Sequence, residues 1–191
     1  MDVIGNVAGT NWKTITLHSL PVLVGAVFIG VLAGQILSYY QDRLFAIPIL
    51  LALVPAINGI GGNVGSVLGS RVASGLHFGG LWSNQARGFR TDLLASVILT
   101  VVTFTFLGAF AYLVAPLLGL TVTMSLSKLA LTTLLAGLGL IVVMILLVIV
   151  VGMLSHRFGW DPDNLVVPVL TTAGDTLGIV FLLLAGEVVG L

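Results

Sequence analysis

Asp175 stands inside an apolar run that starts near Val166 and ends near Val189. At about 1.5 Å of rise per residue, its carboxylate falls well within the hydrocarbon zone of a bilayer. A charge at that depth costs about 3 kcal/mol even on lenient insertion scales, unless a cation or hydrogen bonds compensate it. Thr171 and Thr172 lie one turn earlier, Gly174 and Gly178 flank the carboxylate, and Thr171 shares its helical face at i,i+4. Hydroxyl and carboxylate then line one polar strip, whose chemistry is oxygen ligation of a cation. The alternative is a neutral carboxylic acid bonded to Thr or to a carbonyl as structural glue.

Asn58 and Asn63 form a second candidate group, in the segment Pro55-Ala56-Ile57-Asn58-Gly59-Ile60-Gly61-Gly62-Asn63-Val64-Gly65. Amide oxygens and freed carbonyls suit the water shell of a hard divalent ion; the same glycines also suit close helix packing. The segment lacks the Lys-Ser/Thr ending of a phosphate loop. His18, His77 and His156 share no ligand spacing and read as interfacial residues. Asp161 and Asp163 could draw a cation to one mouth, but Asp161-Pro162-Asp163-Asn164 is equally a helix start. Glu187 falls at the end of the last span. Ser66, Ser70 and Thr132 have no acid or base at hydrolase-like spacing, and the chain has no Cys, so no enzyme chemistry is expected.

The elements that must position these groups are membrane helices. Of 191 residues 58% are hydrophobic and 7% charged, against about a quarter charged in soluble domains, so water is not the main solvent of this surface. Seven basic and seven acidic residues cancel, which excludes a basic face for nucleic acid. The expected fold is all-α, a single transmembrane domain over residues 1–191 with spans near 20–40, 44–71, 93–115, 129–154 and 166–189. Pro55 and Gly61-Gly62 predict a kink or break about halfway along the second span. The polar stretch Val72 to Thr91, with His77, Trp82, Asn84, Gln85, Arg87 and Arg90, reads as the longest loop, with room for an interfacial helix.

With the N-terminus inside, Lys13, Arg71, Arg87, Arg90 and Arg157 are cytoplasmic and only Arg43 and Lys128 are outside, which favours N-in and C-out in a cell membrane. Cysteines introduced at Ser83 and Ser125 are then labelled by impermeant reagents from opposite sides; labelling from one side would overturn this topology. Five spans are few to enclose a path, whereas two parallel copies related by an axis along the membrane normal enclose one, so a homodimer is expected.

The segment Pro55 to Ser66 and the later stretch from Asp161 to Leu165 and from Pro168 through Thr171-Thr172-Ala173-Gly174-Asp175 to Gly178 resemble the two signature regions of the MgtE-type magnesium transporter membrane domain. They are especially similar to its archaeal branch and to the eukaryotic solute carrier family 41, in order and over nearly the whole chain. The resemblance implies five helices per subunit, a homodimer with the ion path at the subunit interface, and Mg²⁺ as the transported ion. By position it makes Asp175 the pore carboxylate, Gly178 the glycine one turn after it and Asn63 the asparagine of the Gly-Gly-Asn segment. Val167 departs from the pattern, since bacterial members commonly carry Asn there, and coordination would lean on carbonyls, Thr171 or Asn63. The N and CBS regulatory domains of bacterial members are not expected in 1–191, so gating by them is not carried over. Exchange of Mg²⁺ for Na⁺, as thought for some eukaryotic relatives, and a non-transporting membrane scaffold are the alternative functions.

Overall fold

The computed structural model describes residues 12–77, 86–160 and 162–191. These residues form helices α1 (Trp12–Tyr39), α2 (Gln41–Ala46), α3 (Pro48–His77), α4 (Ala86–Val114), α5 (Leu126–Phe158) and α6 (Pro162–Val189), with a 3-10 turn, Ala115–Leu118, after α4. Five of them, all but α2, are long and apolar enough to cross a membrane. The chain is an all-α, multi-pass membrane protein.

The boundaries follow from local chemistry. Pro48 opens α3 where no backbone donor is required. The 3-10 turn closes on Gly119, whose φ of 72° only glycine adopts without strain, and the Leu120 N–H returns to the Ala115 carbonyl at 3.0 Å. α5 ends in the same manner at Gly159, with Trp160 N–H donating to the Ser155 carbonyl at 2.9 Å. α6 begins at Pro162, inside the turn signal that the sequence carries; Asp161 lies outside the described residues, as do the side chains of Asp163, His18, His77 and His156.

Two expectations are corrected. The second span is not broken near its middle: α3 runs unbroken from Pro48 to His77 through Pro55 and Gly61-Gly62, and the interruption falls earlier, at Ile47 between α2 and α3. Hydrogen bonds to either side hold the helix through one missing donor, and Gly61 and Gly62 lie against α6. The expected loop from Val72 to Thr91 is also too long, because α3 continues to His77 and α4 starts at Ala86. Trp82, Asn84 and Gln85 lie outside the described residues.

α6 is the centre of the bundle and packs on α1, α3 and α5, while α4 closes the far side against α3 and α5. Ile57, Leu68, Phe104, Leu129, Met144, Leu170 and Leu182 fill the buried core. In lipid no hydrophobic force drives this assembly, so van der Waals fit decides it. The Phe104 ring lies over Gly137, where a Cβ would come within 2.5 Å of it. α1 leaves Leu20, Leu23, Val27, Phe28 and Leu32 exposed, the composition of a lipid-facing helix. Ion pairs stand near opposite ends of the bundle: Arg71 with Asp92 at 2.8 Å between α3 and α4, and Arg43 with Glu187 between α2 and α6.

Candidate functional site

α3 and α6 run antiparallel in a fixed register, in which each turn forward on α3 meets a turn back on α6. Gly69 faces Val166 and Val167, Gly65 faces Leu170, Gly62 faces Gly174, and Asn58 faces Gly178. The closest approach is glycine on glycine: a Cβ on Gly174 would lie 2.5 Å from the Gly62 nitrogen and 2.6 Å from the Gly61 carbonyl carbon. Small residues thus let two backbones meet near the middle of their spans.

Asp175 sits in the notch this contact creates. Its Oδ1 lies 2.7 Å from where a Gly62 side chain would begin, and the Thr171 carbonyl oxygen stands 3.4 Å from the same point. The reverse notch is one turn away, where Asn58 Oδ1 is 2.6 Å from the Cβ that Gly178 lacks. Each helix therefore inserts one oxygen-bearing side chain into a glycine gap of the other. Asn58 Oδ1 is shielded from solvent and accepts no hydrogen bond.

Around the notch, hydroxyl protons are already used. Thr171 Oγ1 donates to the Val167 carbonyl at 3.0 Å and Thr172 Oγ1 to the Pro168 carbonyl at 2.9 Å. Their oxygens keep lone pairs only, and an oxygen with no proton to offer suits a cation and its waters. Among the described residues no group of three or more His, Asp or Glu could hold a metal. A cation here would rest on one carboxylate per chain and on neutral oxygens.

Asp175 is exposed on the surface of the single chain. Beside it runs the exposed stripe of α3, Ala52, Pro55, Gly59, Asn63, Val67 and Ser70 at helical spacing, with only one large apolar residue. The exposed faces of α1 and α4 carry Leu, Val, Ile and Phe instead. The α3 stripe together with Asp175 is small and polar at membrane depth, which is not the composition of a surface that faces lipid.

Of the sequence-predicted site residues, Asp175, Thr171, Gly178 and Asn58 come together on the α3–α6 seam. Asn63 does not join them there: one residue past Gly62, it turns onto the exposed stripe and borders a groove toward α4. Asn63 is five positions after Asn58, more than one turn, so the two amides look in different directions. The sequence reading did not single out Ser96, Thr100 and Thr103 of α4, whose hydroxyls each donate to the carbonyl one turn back. Their signal was present, as hydroxyls at helical spacing after Asp92 within an apolar run.

The fold and the seam define a class, a polytopic α-helical membrane protein with a carboxylate held at mid-span by a glycine crossing. The family model described as "MgtE: Divalent cation transporter" matches residues 54–185, which contain both partners of that crossing, and the chain belongs to this family. Solute carrier family 41 member 3 of Rattus norvegicus is 30% identical over 165 residues, 79% of this chain and 34% of that protein. Magnesium transporter MgtE of Bacillus subtilis (strain 168) is 28% identical over 169 residues, 84% of this chain and 34% of that protein. The chain thus spans about a third of the length of the curated relatives it matches. No solved structure matches it.

Proposed function

We propose that this chain conducts divalent cations across a cell membrane, Mg²⁺ foremost, along a path between two copies in which the Asp175 carboxylates face each other. The observation that carries the reading is the exposed Asp175 at mid-span beside the small, polar stripe of α3. Lipid against that surface would leave a charge uncompensated, whereas a second copy across an axis would turn it into an enclosed wet path. Thr171, Gly178 and Asn58 supply neutral oxygens or room on the seam that holds the carboxylate, and Asn63 offers an amide from the exposed stripe of α3. Mg²⁺ dehydrates reluctantly, and few carboxylates among many neutral oxygens suit an ion that keeps much of its water. The family description and the names of the relatives support the ion class.

The deciding experiment is flux through purified protein in vesicles, with Mg²⁺, Ca²⁺ and Na⁺ gradients varied independently. Mg²⁺ flux that follows its own gradient supports conduction. Flux that follows an imposed Na⁺ gradient would instead make the protein an exchanger, and no flux would make it a scaffold. The side on which Arg71, Arg90 and Arg157 lie is assigned to the cytoplasm, with Arg43 and Lys128 outside.

Asn63→Ala is expected to lower Mg²⁺ flux about tenfold while leaving the oligomer and its thermal unfolding unchanged, since Asn63 is exposed in the single chain and one lost polar contact to a charged partner amounts to about 1.5 kcal/mol. Wild-type flux in Asn63→Ala would remove the residue from the path.

A further inference from the structure

The α3–α6 seam does not stop at Asn58 and Gly178. Followed toward the start of α3 and the end of α6, it opens into a groove of about 260 Å³ between Leu50 of α3 and Leu182, Leu183 and Gly186 of α6, with Arg43 and Leu44 of α2 completing the wall. Glu187, at the rim, is twelve positions after Asp175, or about 18 Å farther along α6. α2 is six residues long, too short to hold its shape alone, and both its ends are breaks: Tyr40 caps it with no side-chain hydrogen bond, and Ile47 leaves helical geometry at φ −130° and ψ 82°. Two neighbouring side chains fix it in place. Leu44 is fully buried in the core. Arg43 reaches across to the Glu187 carboxylate and lies 5.7 Å from the centroid of the Tyr40 ring. The two charged side chains are 66% and 57% exposed, and a pair so exposed holds by about 1 kcal/mol or less, so it opens and recloses readily. The wall of the groove is mostly leucine, which makes it no place for an ion. What it supplies is room for α2 to move.

We propose that α2 is a strap across this end of the seam, fastened to α6 by the Arg43–Glu187 pair, and that release of the pair opens the ion path beyond Asp175. The inference rests on the transport reading above. Fastened, the pair is neutral and each charge faces the other. A divalent cation arriving at this end competes with Arg43 for the Glu187 carboxylate and repels the guanidinium it displaces, so cation on this side favours the released state. α2 then pivots on the buried Leu44, and the break at Ile47 absorbs the change in backbone angles.

The chain has no cysteine, so the double variant Arg43→Cys/Glu187→Cys can be bridged by a bifunctional methanethiosulfonate with the wild type as an unreactive control. Bridging, read as an increase in mass, is expected to lower Mg²⁺ flux in vesicles at least about tenfold, and reductant to restore it. Arg43→Gln removes the fastening without a cross-link and is expected to raise flux about threefold while Mg²⁺ binding stays as in the wild type; it answers the same question where the double variant does not fold. Equal flux before and after reduction of the bridged protein would overturn the strap, as would flux through Arg43→Gln at or below the wild-type rate. A folded double variant that no reagent bridges would show that α2 does not reach α6, and would overturn it too. Flux through Asp175→Asn, measured alongside, tests the transport reading by itself: flux unchanged there sinks that reading whatever the bridge reports.

Discussion

Asp175→Asn is expected to abolish Mg²⁺ flux and to weaken Mg²⁺ binding about a hundredfold or more, with no change in the oligomer. The substitution keeps the size of the side chain and its place in the Gly62 notch, where Oδ1 has 2.7 Å to the position of a missing Cβ. What it removes is the charge, and a contact from a charged oxygen to a cation or its waters amounts to about 1.5–3 kcal/mol per copy. Because the carboxylate must be ionised to bind metal, Mg²⁺ and protons compete, and wild-type binding weakens as pH falls. Folding stability should change by less than about 1 kcal/mol, since no described residue hydrogen-bonds or ion-pairs with Asp175 in the single chain. Isothermal titration of Mg²⁺ into wild type and Asp175→Asn at several pH values, with the oligomer checked by size, gives the answer. Unchanged binding in Asp175→Asn would remove the carboxylate from the ion site. Binding independent of pH across the acidic range would mean that the ion rests on neutral oxygens.

The membrane class and the five spans were legible because they depend on composition and run length, which a sequence states directly. A carboxylate within a run of apolar residues is conspicuous whatever surrounds it. The Gly61-Gly62 pair was harder to read, since glycine in a helix signals either a break or a close neighbour, and only the facing Gly174 decides between them. No local pattern reveals that the pair meets Gly174 and not lipid. The interruption was expected from Pro55 and Gly61-Gly62, when Pro48 and the short α2 before it were the actual boundary. Asn58 and Asn63 looked like one group because they are near in sequence, yet helical geometry turns one into the seam and the other onto the exposed stripe. α3 and α4 run on into polar sequence, to His77 and from Ala86, and a hydropathy reading ends a span where polarity starts, not where the helix ends. The hydroxyl ladder of Ser96, Thr100 and Thr103 was visible as a period but silent as chemistry, because Ser and Thr bonded to their own helix are ordinary in membranes.

Two glycine substitutions in the seam and one outside it separate packing from ion binding, and Gly174→Ala is expected to have the largest effect on folding of the three. Its Cβ would meet the Gly62 nitrogen at 2.5 Å, the Gly61 carbonyl carbon at 2.6 Å and the Gly62 Cα at 2.7 Å, all backbone atoms that cannot rotate aside. α3 and α6 must then separate along their whole contact, which also loosens Leu170 and Ile57 beside the crossing. Overpacking of this kind costs about 3 kcal/mol or more when no side chain can yield, and in a membrane bundle held by fit alone nothing replaces the lost contact. Gly62→Ala differs in what it strikes: Asp175 Oδ1 at 2.7 Å is the free end of a side chain, and the Thr171 carbonyl at 3.4 Å is an ordinary contact. The carboxylate swings out of its notch, so stability falls by about 1 kcal/mol while Mg²⁺ affinity drops about tenfold. Gly25→Ala on α1 meets nothing within 4 Å and gains up to about 1 kcal/mol from helix propensity. Thermal unfolding in detergent, followed by size and by Mg²⁺ titration of each folded variant, should therefore rank Gly174→Ala lowest and Gly25→Ala at or above wild type in stability, with Gly62→Ala defective chiefly in binding. A Gly174→Ala protein that unfolds with the wild type would show that α3 and α6 do not meet backbone to backbone, and the notch that positions Asp175 would lose its physical basis.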